Sequence, residues 1–439
     1  MVQKSFKYNK GITLPKVDFF KANPEVSVLA ITKTVAVPLK QSKGPAPVIM
    51  VEMGEEVQIG SVLAKSRVAT VLSPVSGVVE KVEKRPSCYG GICDHVIIKV
   101  GGDDEFKKLP QLTNEELNSD VIRRRINDLG VTDYDGRALY DKLKLDEGDV
   151  VDSLVLNACT DEPFLNNNVV LLNEKIDEVI AGAIYMAKCI KVNRIRLAIT
   201  KLDLEKVQPF IAKMQEVEGD YIFEVDIVPN KYPIGDEFEL VKALTQKDVA
   251  NYLETRKTGI VVVDVYSAYT VFEAVDLGVC DYEKLITLVG VGPNADEIKN
   301  VWVRVGSSFS SILKQTLPNE NVDIVKIIAG GPMRGVAVAG QNVCVTKTLK
   351  GIMFLSSAIA NIPLEEDCIN CGLCTSVCPR GLLPREIEKH VIKDDIMGAK
   401  KFGATACTKC GCCAYVCPAK RNLVQRIIFA KDKINNKGL

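Results

Sequence analysis

Eight cysteines near the C-terminus repeat one spacing twice. The two runs are Cys368-x2-Cys371-x2-Cys374-x3-Cys378 and Cys407-x2-Cys410-x2-Cys413-x3-Cys417, each followed by proline. Such a run gives three thiolates to one cubane iron–sulfur cluster and its fourth cysteine to the neighbouring cluster. The predicted ligand sets are therefore Cys368, Cys371, Cys374 and Cys417 for one [4Fe-4S] cluster, and Cys378, Cys407, Cys410 and Cys413 for the other. The alternative is a pair of zinc sites, although zinc ligands usually occur as separated Cys-x2-Cys pairs.

A second pair of cysteines lies outside these runs. Cys88 and Cys93 flank Gly90-Gly91, and a turn there would bring the two thiols within disulfide range. A neighbouring Arg85 or His95 would favour the reactive thiolate. The spacing therefore predicts a catalytic redox dithiol. Two unpaired, half-buried cysteines and a metal site that uses His95 are the alternatives.

Composition limits the classes of function. The chain has 439 residues, with 56 Lys+Arg against 56 Asp+Glu, so its net charge gives no argument for nucleic-acid binding. No signal-peptide core follows Met1 and no apolar stretch approaches 18 residues, which predicts a cytoplasmic protein without direct membrane insertion. Fifteen cysteines in that compartment indicate metal or redox chemistry rather than disulfides. The sequence does not predict an oligomeric state.

The elements that would position these cysteines divide the chain into four predicted domains. Residues 1–110 contain short strands with frequent turns and resemble a barrel-sandwich hybrid of the lipoyl type. Residues 111–285 alternate strands and helices, which predicts a Rossmann-like α/β domain with a parallel sheet. Residues 286–350 suggest a β-grasp insert of the SLBB kind, and residues 351–439 an α-helical ferredoxin domain that holds both clusters.

In this order the pieces resemble the Rnf complex C subunit family over nearly the whole chain. The segments that carry the resemblance are Lys231–Gly235, Gly330–Met333, Leu364–Cys368, Gly381–Pro384 and Cys410–Pro418. The family is related to the flavin- and NADH-binding subunit of respiratory complex I. The resemblance implies electron transfer from NADH, through FMN, into two [4Fe-4S] clusters. A flavin suits that position because hydride arrives as an electron pair and clusters accept single electrons.

The resemblance also implies a set of cofactor-binding residues, in a region where this chain departs from the family. The glycine-rich loop of the family corresponds to residues 130–142, where Gly130, Gly136 and Lys142 match. Asn157 and Glu162 match the acidic nucleotide-binding segment, whereas Cys159 and Thr160 replace acids. Side chains in the loop would obstruct close approach of a ring or phosphate to the backbone. The alternative is that this domain serves as a scaffold.

Three functions are expected from these features. The first is a soluble electron-transfer protein that feeds a partner reductase, D-proline reductase, as in the related proteins of amino-acid-fermenting clostridia. The second is an NADH:acceptor flavoenzyme, either the peripheral subunit of an Rnf ion-pumping complex or a cobalamin reductase. The third is a structural adaptor whose clusters only hold the C-terminal helices together. The eroded glycine loop and the Cys88/Cys93 pair favour the first.

Overall fold

The computed structural model describes residues 2–14, 26–41, 46–66, 69–102, 104–291, 297–317, 323–360 and 363–437. The N-terminal part holds nine strands. They are β1 (Val2–Ser5), β2 (Ser27–Val28), β3 (Thr34–Pro38), β4 (Val48–Ile49), β5 (Glu56–Val57), β6 (Val62–Lys65), β7 (Thr70–Leu72), β8 (Gly77–Pro86) and β9 (Ile92–Val100).

Strands β3 to β9 form the barrel-sandwich domain from two antiparallel sheets. One sheet has the order β3-β9-β8-β5 and the other β4-β6-β7. Apolar side chains from both sheets, Val35, Leu63, Val75, Val96 and Ile98 among them, are buried in a common core. Strand β9 is buried on both faces, because Val96 and Ile98 face the barrel core while Ile97 packs against Cys344 of the neighbouring domain.

The nucleotide domain follows. Its strands and helices are α1 (Ser119–Asp128), α2 (Leu139–Leu143), β10 (Ser153–Asn157), α3 (Asn167–Glu174), α4 (Ile176–Cys189), β11 (Arg194–Thr200), α5 (Gln208–Glu216), β12 (Ile222–Val228), α6 (Glu237–Thr245), α7 (Tyr252–Arg256), β13 (Ile260–Asp264) and α8 (Val265–Phe272). A 3-10 turn at Leu204–Val207 precedes α5, and a π-turn at Glu273–Leu277 extends α8.

The sheet of this domain is parallel, with the order β1-β12-β11-β10-β13. Strands β10 and β13 are buried along their whole length, as expected for a parallel sheet covered by helices on both faces. The chain leaves β10 toward β11 and later returns to its other side as β13. The strand order therefore reverses between β10 and β13, where ligands bind in open α/β sheets.

A mixed sheet and a short helix form the β-grasp domain. Its elements are β14 (Glu283–Val291), β15 (Glu297–Arg304), α9 (Phe309–Thr316), β16 (Ile324–Ala329), β17 (Val336–Ala337) and β18 (Gly351–Ser356). The sheet order is β17-β16-β18-β14-β15-β2, and Phe309 and Ile312 of α9 are buried against it.

The C-terminal domain is helical. Its elements are α10 (Leu373–Ser376), α11 (Pro384–Ile392), α12 (Ile396–Lys401), a 3-10 turn at Ala404–Ala406, α13 (Cys412–Tyr415) and α14 (Leu423–Lys437). Ile387, Ile427 and Ile434 pack α11 against α14. In the described ranges, no helix is both long and apolar enough to cross a membrane.

The predicted classes of domain are therefore present, but strand pairing crosses the predicted limits. Strand β1 lies at the edge of the parallel sheet beside β12, outside the barrel. Strand β2 pairs with β15, and β18 pairs with β14 and β16. The predicted limits at residues 110 and 350 therefore separate β2 and β18 from the sheets to which they belong. Composition does not reveal such pairings, because the paired strands are far apart in the sequence.

Candidate metal and cofactor centre

Two cavities in the helical domain are each surrounded by four of the predicted ligand cysteines. The inner cavity is lined by Cys378, Cys407, Cys410 and Cys413. The outer cavity is lined by Cys368, Cys371, Cys374 and Cys417. Each set draws three cysteines from one run and the fourth from the other, so the structure brings together the residues of each predicted crossed set.

The geometry of these sets also bears on the zinc alternative. A single zinc ion needs its thiolates within about 2.3 Å of one centre. Among the described residues, no three His, Cys, Asp or Glu side chains are gathered to hold one metal ion. Four cysteines that line one space without converging on a single point instead fit a multi-atom cluster.

The two loops that form these cavities have the same backbone. Asn370 and Lys409, each two residues after the first cysteine of its run, have φ of 57° and 61°. Gly372 and Gly411, each directly after the second cysteine, have φ of 76° and 80°, a region in which glycine is favoured. The repeated left-handed positions curl each Cys-x2-Cys-x2-Cys segment around its cavity, and α10 and α13 begin directly afterwards.

Hydrogen bonds to sulfur support the ligand assignment. The Lys409 amide donates to Cys407 Sγ and the Leu382 amide to Cys378 Sγ, both at 3.4 Å. Such bonds favour a thiolate over a thiol. Cys412 is fully buried beside the inner cavity, and its thiol donates to Tyr232 O at 4.0 Å. Cys412 therefore packs beside the inner set without being one of its predicted ligands.

The carboxyl ends of β10 and β13 lie side by side where the strand order reverses, which is the place of the ligand crevice in open α/β sheets. Lys350 Nζ lies there, 3.0 Å from Asp161 Oδ2 and 2.7 Å from Asp264 Oδ2, and 4.9 Å from the centre of the Tyr134 ring. Opposing carboxylates are the main favourable influence on the Lys350 ammonium, and its pKa is raised. We name Tyr134, Asp161, Glu162, Asp264 and Lys350 the strand-end crevice.

The five residues predicted to bind a cofactor lie in different surroundings. Asn157 ends β10, and its side chain donates to Gly235 O at 2.8 Å and accepts from the Cys159 amide. Gly136 closes a turn with Asp133. Gly130 packs closely on Thr70 O and accepts from Lys347 Nζ at 3.1 Å. Asn157 and Glu162 therefore reach the crevice, whereas Gly130 contacts the barrel domain.

Lys142, the fifth predicted residue, is buried and engaged by protein carboxylates. Its ammonium pairs with Asp133 and Glu237, the latter at 2.8 Å. Burial raises the pKa of the Glu237 carboxyl to about 7, against the opposing effect of Lys142. The Lys142 charge is thus balanced within the protein.

Glu162 connects the crevice to a loop of the β-grasp domain. Its Oε2 accepts from the Met333 amide at 2.9 Å, and its Oε1 is buried with no hydrogen-bond partner among the described residues. Burial raises the pKa of this carboxyl to about 7. A buried carboxylate oxygen without a donor is costly unless a ligand satisfies it.

The same loop reaches the inner cavity. Met333 O lies 2.9 Å from the position that a Cβ on Gly411 would occupy. From the nucleotide domain, the Tyr232 hydroxyl donates to Cys410 O at 2.6 Å. Residues 331–333 and Tyr232 thus join the crevice to the inner cysteines. In the sequence both segments stand out only as marks of family resemblance, and no pattern there identifies Tyr134 and Lys350 as site residues.

Cys88 and Cys93 lie at the tip of the β8–β9 hairpin, where it meets the β-grasp domain. Cys88 is buried and Cys93 half-buried, and both thiols are free. The Cys88 Sγ is 3.3 Å from Thr346 Oγ1, and the Cys93 Sγ is 3.8 Å from His95 Nδ1. Burial raises the pKa of both thiols. The structure therefore shows the pair at an interdomain contact rather than at the crevice.

Family models cover most of the chain. The model of the RnfC barrel sandwich hybrid domain matches residues 6–103, the Nuo51 FMN-binding domain matches residues 126–273, and the 4Fe-4S dicluster domain matches residues 367–420. The predicted fold class and the predicted cofactors, FMN and two [4Fe-4S] clusters, are thereby confirmed at the level of the domain.

Similar proteins cover nearly the full length. The C subunit of the proton-translocating ferredoxin:NAD(+) oxidoreductase complex of Clostridium ljungdahlii is 30% identical over 422 residues, which is 94% of this chain and 91% of that protein. The Na(+)-translocating counterpart of Acetobacterium woodii is 29% identical, covering 91% and 90%. The C subunit of the ion-translocating oxidoreductase complex of Rhodobacter capsulatus is 28% identical, covering 99% and 84%.

A solved structure supports the fold. The NAD+-reducing [NiFe]-hydrogenase in the H2-reduced state matches with a TM-score of 0.50 and 15% identity, over 72% of this chain and 62% of that one. This chain spans less than two thirds of the hydrogenase chain, and the likeness concerns architecture alone.

The crevice offers one open acceptor for FMN, since Glu162 Oε1 is buried without a donor among the described residues. Lys350, like Lys142, is already paired with two carboxylates, so a phosphate would have to displace one of them. The fit differs from an open glycine cradle, because the side chains of Tyr134 and Lys142 are already packed. Side chains, rather than exposed backbone, would therefore make the contacts with FMN.

Proposed function

Because the chain belongs to the family of C subunits of Rnf-type ion-translocating oxidoreductase complexes, we propose that it is the peripheral NADH-linked electron-transfer subunit of such a complex. The observation that carries the proposal is the contact path from the strand-end crevice to the inner cysteines. Glu162 binds the Met333 amide, and the Met333 carbonyl lies against Gly411. A cofactor in the crevice would thus be joined by packed protein to the inner metal site.

The bound groups would convert pairwise electron transfer into single-electron transfer, since a flavin accepts hydride and a cluster takes one electron. The residues of this chain hold and separate these groups. The eight cysteines would ligate the two clusters in crossed sets. Asn157, Glu162 and Lys350 would hold FMN, with Lys350 exchanging a carboxylate for the phosphate.

The two cysteine sets differ in exposure, which gives the path an order. Cys378, Cys410 and Cys413 of the inner set are buried, whereas Cys371 of the outer set is exposed. Electrons would therefore pass between the crevice and the inner set, and leave or enter the protein at the outer set. Exposed apolar side chains stand near the outer cysteines, with Leu364 88% and Ile369 67% exposed. Such a patch suits a protein partner.

The expected partnership with D-proline reductase has no support among the similar proteins, which are named as subunits of ion-translocating complexes. The same holds for a role in amino-acid fermentation. The alternative expectation, the peripheral subunit of an Rnf complex, agrees better with them. Electron transfer by this route also requires no thiol chemistry at Cys88 and Cys93.

Anaerobic purification with chemical analysis tests the cofactor content. About eight irons and eight sulfides per chain are expected, together with flavin released by acid precipitation. On mixing with NADH, the cluster absorbance should bleach. Lys350→Met should lower the flavin content while iron stays unchanged. Full clusters without flavin, and without bleaching by NADH, would overturn the NADH-linked role.

Affinity purification from the native membrane tests the partner. The tagged chain should carry along membrane-spanning subunits, identified by mass spectrometry, and NADH should then reduce ferredoxin or the reverse. Recovery of proline reductase subunits in stoichiometric amount, with no membrane-spanning protein, would instead restore the first expectation.

A further inference from the structure

Three residues that line the two cysteine cavities carry a buried hydrogen-bond donor without a partner. Among the described residues, Thr408 Oγ1, Arg380 Nη1 and Arg385 Nε are buried and make no hydrogen bond. Thr408 and Arg380 line the inner cavity, and Arg385 lines the outer one. A buried donor without an acceptor is costly and therefore rare unless a bound group satisfies it. Three such donors at the two cavities indicate that the groups held by the cysteines are acceptors.

Thr408 belongs to the loop of the second cysteine run. It follows Cys407 directly, and Cys410 comes two positions later. The next residue, Lys409, has a left-handed φ of 61°, and its amide donates to Cys407 Sγ at 3.4 Å. The backbone beside Thr408 is thus already turned toward the inner thiolates. A threonine hydroxyl carries one hydrogen that it can donate, and the inner cavity is where an acceptor for it would lie.

Arg380 lies two positions after Cys378 and has its charge balanced within the protein. Its Nη1 is 3.9 Å from Glu239 Oε1 and 3.7 Å from Asp248 Oδ1. These distances are suitable for ion pairs but are too long for hydrogen bonds. The two carboxylates therefore hold the guanidinium in place without taking up the hydrogens of Nη1.

Arg385 is the second residue of α11. Its Nη1 contacts Glu386 Oε1 at 3.5 Å, whereas its Nε has no partner in the part of the chain that the structure describes. Arg421 lines the same cavity, but its Nε donates to Glu388 and its Nη1 to Glu366 O. Of these two arginines, Arg385 is therefore the one with a buried donor left for the contents of the cavity.

The chemistry of an iron–sulfur cluster matches these donors. Its inorganic sulfides and its thiolate ligands are electron-rich and accept hydrogen bonds. We propose that Thr408 and Arg380 donate hydrogen bonds to sulfurs of the cluster in the inner cavity, that Arg385 donates to a sulfur of the cluster in the outer cavity, and that these bonds set the two reduction potentials. The inference rests on the two clusters of the proposed function.

The donors have a consequence for electron transfer between the clusters. Reduction adds one negative charge to a cluster, so a donor to its sulfurs stabilises the reduced form and raises its potential. Burial acts in the opposite sense, because it removes that charge from water. The inner cysteines are more buried than the outer ones, and the inner cavity has two of the three side-chain donors. The donors thus offset burial and bring the potential of the inner cluster closer to that of the outer one.

Redox titration of the anaerobically purified full-length protein, followed by electron paramagnetic resonance, measures both potentials. Cys378→Ala and Cys417→Ala, which each remove one predicted ligand, identify the signal of each cluster. Thr408→Val should lower the potential of the inner cluster alone, and Arg385→Gln that of the outer cluster alone. Loss of one such bond should change the equilibrium constant for reduction about tenfold, which is about 59 mV for one electron.

Two further variants test the donors themselves. Thr408→Ser keeps the hydroxyl and should retain the wild-type potential, which a purely structural role of the threonine methyl would not allow. Arg380→Gln should lower the potential of the inner cluster by more than Thr408→Val does, because a positive charge is lost together with the donor.

Matched controls separate hydrogen bonding from general effects of substitution. Thr375 also directly follows a ligand, Cys374, but it is absent from both cavity linings among the described residues. Lys389 lies one helical turn after Arg385, and its side chain is 46% exposed, so Lys389→Gln controls for the loss of one positive charge. Thr375→Val and Lys389→Gln should leave both potentials unchanged.

Iron content and the potentials report on different claims. Unchanged potentials in Thr408→Val and Arg385→Gln, with about eight irons per chain, would overturn the hydrogen bonds alone. Equal shifts in these variants and in the two controls would also overturn them. A wild-type protein without iron and without cluster signals would overturn the proposed function as well.

Discussion

At the scale of single residues, ligand identity is the best-determined property of the molecule, and its crossed pattern can be tested. Cys378→Ala should remove the same cluster as Cys407→Ala, whereas Cys417→Ala should remove the same cluster as Cys368→Ala. Each change should lower iron from about eight to about four per chain. Iron analysis and the electron paramagnetic resonance signal that survives in each variant are the measurements.

Cys412→Ala is the matched control for these variants. Its sulfur is buried beside the inner cavity, but it stands outside the repeated spacing and donates to Tyr232 O. Iron content should stay at about eight per chain, while the reduction potential of the inner cluster shifts because the packing beside that cluster changes. If Cys378→Ala and Cys368→Ala instead removed the same electron paramagnetic resonance signal, the crossed ligand sets would be wrong.

Glu162 provides a second test at the residue scale, through pH. Its folded pKa is about 7, raised by burial from an ordinary value of 4.5. Between those pH values the folded protein holds a proton that the unfolded chain has released, so stability falls as pH rises from about 4.5 to 7. The loss is at most about 3 kcal/mol. Glu162→Gln should not show it, since glutamine does not ionise in this range.

Thermal unfolding of anaerobic holoprotein between about pH 5 and 8 checks this expectation. The advantage of Glu162→Gln over the wild type should grow up to about pH 7 and then remain constant. Glu147→Gln, at an exposed position, is the control and should follow the wild type. Parallel curves for Glu162→Gln and the wild type would show that Glu162 is already ionised at low pH.

The sequence predicted some of the site residues but not others. The eight cysteines were found because their spacing is itself the signal, contained within 50 consecutive positions. Lys350 and Tyr134 were not found, because their role arises from contact between segments more than 200 residues apart. Among the resemblance-based residues, Lys142 was matched by spacing alone. Spacing cannot show that Asp133 and Glu237 already balance its charge.

At the scale of elements, the turn between β16 and β17 is the part that links the two cofactor regions. A Cβ on Gly331 would lie 2.3 Å from Glu162 Oε2, so Gly331→Ala must displace either the carboxylate or the loop. We expect a stability loss of about 1–3 kcal/mol from overpacking, and slower reduction of the clusters by NADH as Met333 moves from Gly411. Stopped-flow absorbance and thermal unfolding are the measurements.

Gly340→Ala is the matched control, because a Cβ there would meet nothing within 4 Å. It should leave both the rate and the stability unchanged within about 0.5 kcal/mol. Equal effects of the two changes would mean that the turn has no special part in electron transfer.

Elements differ in how well sequence patterns revealed them. Strands β10, β11 and β13 were predicted because buried parallel strands are continuous runs of β-branched and apolar residues. Strand β1 fell within the predicted barrel domain, residues 1–110, because its four residues carry no periodic signal in the sequence. Its place beside β12 depends on backbone hydrogen bonds, which any sequence can make. Apolar residues from Val170 to Ala187 recur at a spacing that predicts one helix, but the structure divides them between α3 and α4, separated at Lys175.

At the scale of the whole molecule, the proposed electron-transfer path runs from the crevice to the inner cysteines and then to the outer cysteines. It ends at an exposed apolar surface. If the partner docks over the outer cluster, Ile369→Ser should weaken its binding without affecting the fold, because the side chain is 67% exposed. Loss of one central apolar contact costs roughly 1–2 kcal/mol in an interface, or about tenfold in affinity. The apparent affinity for membrane vesicles depleted of this subunit should fall accordingly.

Reduction by NADH and iron content should be unchanged in Ile369→Ser, which separates docking from internal electron transfer. Val150→Ser, at an 80% exposed position between α2 and β10, is the control for loss of an exposed apolar side chain. A partner that binds Ile369→Ser normally but not Val150→Ser would dock on the nucleotide domain instead. In that case the exposed outer cysteines would not mark the exit of the path, and the proposed exit at the outer set would be wrong.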